Sequence, residues 1–160
     1  MSNTALRMEQ SDLVIGIAAI ADFAAGDVFS DIVNMSQHNR CRFITHWGVG
    51  TTGVVKLTVQ ACDDVSASNT SAVPFYYRIT LNATKPGAII LTTAAAGISN
   101  AAGSAQIIEC EITAAQLLSS GYKYVRLSVD ETTDAPLLGG VIIERSEPRH
   151  ADGLPAIATV

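Results

Sequence analysis

The chain has 160 residues, enough for one domain whose core needs neither disulfides nor metal. Apolar residues make up 48% and charged residues only 16%, and the net charge is −5. With no cluster of Lys or Arg to meet phosphate, a nucleic-acid partner is not expected. A weakly charged surface rich in Ser, Thr, Asn and Ala suits packing against other protein.

Residues 1–12 are polar and read as an N-terminal arm. Residues 13–20 form an apolar run, with Arg7 before it and Ala24, Ala25 and Gly26 after it, the outline of a secretory leader. Glu9 and Asp12 stand where a leader carries positive charge, and Asp22 follows closely. The run is therefore expected to be a buried β segment of a protein made in the cytoplasm, and it is too short to span a membrane. Residues 26–34 read as a strand with mixed faces, and Ser36, Gln37, His38 and Asn39 as a polar turn.

Two period-2 runs then flank a glycine-rich connection. Cys41, Phe43, Thr45 and Trp47 share one face of the first, and Val55, Leu57, Val59 and Ala61 share one face of the second, which together read as a hairpin over residues 40–62. The connection, Gly48-Val49-Gly50-Thr51-Thr52-Gly53, matches the G-x-G-x-x-G string of dinucleotide sites. That motif works by aiming a helix N-terminus at pyrophosphate, whereas here β-branched residues from Val54 onward open another strand, so a strand connection is the expected role.

Residues 63–71 form a loop of small polar residues. Phe75, Tyr77, Ile79 and Leu81 then alternate with Tyr76, Arg78 and Thr80 as a strand. Lys85, Pro86 and Gly87 mark a turn before a short apolar strand at 88–92, and residues 94–104 read as a flexible connection. In the next strand Gln106, Ile108, Cys110 and Ile112 oppose Ile107, Glu109 and Glu111. A short helix over 113–120 follows, capped by Thr113 and stopped by Gly121. Strands at 122–129 and 138–144 complete the domain, and residues 145–160, with Pro148 and Pro155, read as an extended C-terminal arm unable to enter a sheet interior. The pattern predicts an all-β fold: a single antiparallel sandwich or jelly-roll-like domain over 13–144, with one short helix and an arm at each end.

Chemistry is hard to find in this chain. His38, His46 and His150 have no metal-site spacing, and His46 beside Trp47 reads as a structural, hydrogen-bonded residue. Cys41, Cys62 and Cys110 read as buried thiols, with a Cys41–Cys62 bridge across the hairpin as the alternative. Asp63 and Asp64 offer too few oxygens for calcium by themselves, and without a secretory leader Asn69-Thr70-Ser71 and Asn82-Ala83-Thr84 carry no glycosylation message. Glu109 and Glu111 share a strand face about 7 Å apart, a glycosidase-like separation, but with aromatics at 6% the expected role is a solvated face. Trp47, Tyr76, Tyr77, Tyr122 and Tyr124 are candidates for a sugar-stacking platform, with core or interface packing as the commoner fate. No catalytic residue, cofactor site or metal site is assigned.

Three segments carry a family resemblance: residues 26–35, then Arg42 to Gly53 with Leu57 to Asp64, and Leu117 to Leu127. In these, over about residues 26–146, the chain resembles the head decoration, or cement, proteins of tailed bacteriophages. The resemblance is one of pattern, without an invariant motif. It implies a non-enzymatic homotrimer or homodimer on the outside of an icosahedral virion, bridging copies of the major capsid protein. Other virion parts, such as a tail or head-fibre module, and a carbohydrate-binding module are the alternatives. The arms are the expected capsid contacts: Met1, Ser2, Asn3 and Thr4 at the start, and Arg145, Pro148, Arg149, His150, Leu154, Pro155 and Ile157 at the end.

Overall fold

The computed structural model describes residues 10–50, 52–82 and 85–149. Among these, the strands in chain order are β1 (Ser11–Ile20), β2 (Val28–Phe29), β3 (Val33–Asn34), β4 (His38–Trp47), β5 (Val54–Cys62), β6 (Thr70–Ala72) and β7 (Phe75–Leu81). They continue as β8 (Ile90–Thr92), β9 (Ile98–Ser99), β10 (Gln106–Thr113), β11 (Tyr124–Thr133) and β12 (Gly139–Pro148), with the helical turn α1 (Ala114–Leu117) between β10 and β11.

The strands form two antiparallel sheets. Sheet A is ordered β1-β12-β4-β10-β7-β8. Sheet B is ordered β2-β11-β5-β6, with β3 also on β11 and β9 also on β5. The sequence periodicities set the inner faces: Cys41, Phe43 and Trp47 of β4 and Ile108, Cys110 and Ile112 of β10 are fully buried. Opposite them, Val55, Leu57, Val59 and Ala61 of β5 and Val125, Leu127 and Val129 of β11 are equally buried, so the fold is an all-β sandwich around one apolar layer.

The hairpin expected at 40–62 does not exist as a pair. Strand β4 belongs to sheet A and β5 to sheet B, so the glycine connection carries the chain from one sheet to the other. Its ends are tied down: Gly48 N–H donates to the Leu138 carbonyl at 2.9 Å. The buried Asn100 accepts from Val55 N–H at 2.7 Å and donates to the Gly53 carbonyl at 3.1 Å. The segment expected to be a flexible connection thus supplies β9 and the residue, Asn100, that ties down the start of β5. Trp47, the last residue of β4, stacks on Phe23 with ring centroids 5.9 Å apart. Cys41, Cys62 and Cys110 are all free and buried, so the bridge alternative does not form, and burial pushes the Cys41 and Cys110 thiols well above their ordinary pKa.

Two boundaries differ from the sequence reading. Strand β1 is an edge strand rather than a buried one, with Leu13 65% and Ile15 69% exposed. Strand β12 runs to Pro148, so Arg145 and Pro148 belong to the sheet and not to an arm. Among the described residues the last β12 pairing with β1 is Ser11 with Ser146, so no described ladder needs the N–H that Pro148 lacks on that side. The helix is capped as expected: Thr113 N–H donates to Gln116 Oε1 at 2.9 Å, and Gly121 ends the segment at φ +74°.

Where β12 begins, a Cβ on Gly139 would lie 2.8 Å from Trp47 Cβ and closer still to a backbone carbonyl, while one on Gly48 would meet only Leu138 O at 3.9 Å. Gly139→Ala is expected to cost about 1–3 kcal/mol by overpacking, and Gly48→Ala less than about 0.5 kcal/mol, measured by urea unfolding.

Candidate functional site

The register of sheet A writes out its solvent-facing surface row by row. One row reads Leu13, Glu144, Arg42, Glu111, Tyr76 and Leu91 across six strands, and the next reads Ile15, Ile142, Ile44, Glu109 and Arg78. At the end where β1 starts and β12 finishes, the row is Ser11, Ser146, Arg40 and Thr113.

Charges of opposite sign alternate across these rows and form a ladder. Arg42 donates through Nε to Glu144 Oε2 at 2.7 Å and through Nη1 to Glu109 Oε1 at 2.7 Å. Arg78 closes on the same Glu109, donating through Nη2 at 3.0 Å and through Nε to the other oxygen. Arg40 reaches Glu111 at 2.6 Å and Glu147 at 2.9 Å. The hydrogen bond from Arg78 holds the Glu109 carboxyl below its usual pKa against the cost of desolvation, and the same pair raises Arg78. Glu109 and Glu111 are thus bound by guanidinium groups rather than forming the solvated face expected from the sequence.

Both ends of the described chain leave this sheet side by side, because β1 and β12 are antiparallel neighbours with Ser11 opposite Ser146. A cleft of about 420 Å³ opens there, lined by Gln10, Ser11, Arg40, Ser146, Glu147 and Pro148 among others. Arg145 binds Asp12 at 3.0 Å, tying the two terminal strands together, and Arg149 N–H donates to the Gln37 carbonyl at 2.9 Å. Beside them His38, expected in a polar turn, begins β4 and is buried, with no hydrogen-bond partner at Nδ1 among the described residues. Burial first, and then the Arg145 cation, push its pKa below the ordinary value, with Asp12 pulling the other way. His46, read from sequence as a structural histidine, is instead exposed on the outer face of β4.

Of the expected contact residues, Arg145, Pro148 and Arg149 lie at this terminal pole. Met1, Ser2, Asn3, Thr4, His150, Leu154, Pro155 and Ile157 lie outside the described residues. The aromatic platform is not assembled: Trp47 is fully buried, Tyr77 and Tyr122 pack against the core, and Tyr76 is exposed on the outer face of sheet A. Asp63 accepts from Asn69 side-chain and backbone N–H groups at 2.6 and 3.1 Å, bonds that lower its pKa. Among the described residues no three His, Cys, Asp or Glu come together to hold a metal. The ladder itself was missed in the sequence, although the Arg40/Arg42 and Glu109/Glu111 spacings, each i and i+2, carry its signal.

No family model matches the chain, and no curated protein matches it. Among solved structures, the SPBc2 prophage-derived protein YomS is similar at 13% identity with a TM-score of 0.44, over 91% of this chain and 100% of that one.

Removing the central guanidinium takes a cation shared by two carboxylates whose side chains are only 13% and 8% exposed, and leaves Glu109 to Arg78. Arg42→Met is therefore expected to cost about 3 kcal/mol in urea unfolding, and Arg40→Met, at the exposed end of the ladder, less than about 1 kcal/mol. His38 gives a second prediction. The unfolded chain takes a proton near pH 6.5 that the native chain resists until lower pH, so stability falls as pH drops through that interval. The melting temperature should fall between about pH 7 and about pH 5.5, before the carboxylates titrate, and His38→Gln should flatten that fall.

Proposed function

We propose that this chain is a structural virion protein that coats the outside of an icosahedral phage capsid and stabilises the mature shell by bridging major capsid subunits. The sequence resemblance to head decoration proteins suggests the class. The observation that carries the reading is the terminal pole: the two ends of the described chain lie beside each other, with Ser11 opposite Ser146. Two arms leaving one point can reach one patch of shell together, each raising the effective concentration of the other. Strand addition to an exposed sheet edge is a mode open to such extended segments.

The mechanism on this reading is mass action. A protein that binds only the expanded lattice lowers the free energy of that state by its binding free energy, and many copies around the shell add their contributions. The role asks for no catalytic group, only a rigid body and adhesive ends. Sheet A suits the rigid body, because its surface charges are locked to one another by the Arg42 ladder.

Heads lacking this protein, mixed with the purified chain and pelleted, should take it up to a saturating ratio. A chain ending at Arg149 should keep its circular dichroism spectrum and melting cooperativity, since β12 is complete, yet bind heads at least tenfold more weakly. Failure of the full chain to pellet with heads would overturn the capsid assignment, and undiminished binding by the shortened chain would overturn the role of the C-terminal arm.

A further inference from the structure

The outer face of sheet A changes character along its strands. Beside the charged ladder and beyond it lies an apolar area made by Leu13 of β1, at the edge of the Glu144 and Arg42 row, Ile15 of β1, Ile142 of β12 and Ile107 of β10, with Ile20 and Leu138 at its far end. These six side chains are between 36% and 69% exposed. A long edge strand normally protects itself with Lys, Pro or inward charge, and β1 has none of these between Leu13 and Ile20.

The area has relief as well as hydrophobicity. Gly139 and Gly140 place no side chain between β1 and β4, leaving a groove of about 460 Å³ floored by glycine and walled by Ile15, Ile44 and Ile142. Ile15 and Leu138 stand along it as a ridge, each more than 60% exposed. A ridge beside a groove of similar length is self-complementary under a two-fold axis, where the ridge of each copy enters the groove of the other.

We infer that this apolar face is the contact between two copies of the chain, packed face to face about an axis near Ile142. Size and charge both favour a second copy as the occupant. The six side chains expose on the order of 600 Å² of largely apolar surface per copy, so a pair that covered them fully would bury up to about 1,200 Å², the lower range of specific interfaces. Each copy carries a net charge of −5, which opposes association, but the groove is lined by no carboxylate or Lys and has His46 as its titratable group, while Glu109 and Glu144, in the rows of Ile15 and Leu13, are both held by Arg42. The ladder then lies at the rim with both signs available. The terminal pole is several residues further along β12, so this pairing does not use Ser146 to Pro148. The inference does not rest on the capsid reading.

The test is the mass of the isolated full-length chain by sedimentation equilibrium, from micromolar to submillimolar concentration. A dimer is expected for the natural sequence and a monomer for Ile142→Glu and for Ile142→Lys alone. Mixing the two variants should restore the dimer, because each places its new charge against the opposite one across the axis. Should either variant fail to fold, Ile15→Ser, at the exposed edge, is expected to weaken association at least tenfold with an unchanged circular dichroism spectrum. A monomeric natural chain, a dimer indifferent to these substitutions, or variants that stay apart when mixed would each overturn the assignment. Because no heads are present, the outcome is separate from that of the head-binding experiment.

Discussion

Arg42 joins three strands of sheet A by a single side chain. It sits in the middle of β4 and binds Glu109 of β10 on one side and Glu144 of β12 on the other, while Cys41 and Phe43, its neighbours in sequence, point into the core. The rest of the sheet follows from that strand. With β4 flanked by β10 and β12, the chain's first and last long strands become neighbours at one edge, and β7 and β8 are left to the other. Desolvating two carboxylates is costly unless the cation is present and well placed, so the ladder acts as a condition on register more than as a source of stability. A slip of one residue in either flanking strand would turn the carboxylates inward and the apolar side chains out.

The same arrangement divides the outer surface. Near the chain ends the side chains are charged and mutually satisfied, and further along they are aliphatic and lie beside glycine. Cys41 and Cys110, whose thiols could otherwise serve as nucleophiles, are buried and far from ionising. On the proposed reading, the terminal pole meets the shell and the apolar face meets a sister copy.

Much of the sandwich was legible in the sequence because a half-buried strand must alternate, and β4, β5, β10 and β11 alternate clearly. Alternation tells which side chains share a face but not which strand lies alongside. Gly48 to Gly53 has the composition of a hairpin turn and equally that of a crossover between sheets; only the ties from Asn100 and Leu138, far away in sequence, decide the matter. The run at 13–20 misled for a related reason. A continuous apolar segment reads as buried on both faces, and nothing local distinguishes it from an edge strand awaiting a partner. Pro148 suggested the end of the sheet too early, since proline is excluded only where its N–H is needed. The ladder escaped notice because its partners lie up to 107 residues apart, and the acidic pair was considered without the arginines that face it.

Electron cryo-microscopy of heads purified with and without this protein tests the central claim most directly. The account predicts added density on the outer surface of the shell, fitted by the sandwich with Ser11 and Ser146 toward the major capsid protein. Identical shells in the two preparations, with the protein found on the tail or absent from particles, would contradict it.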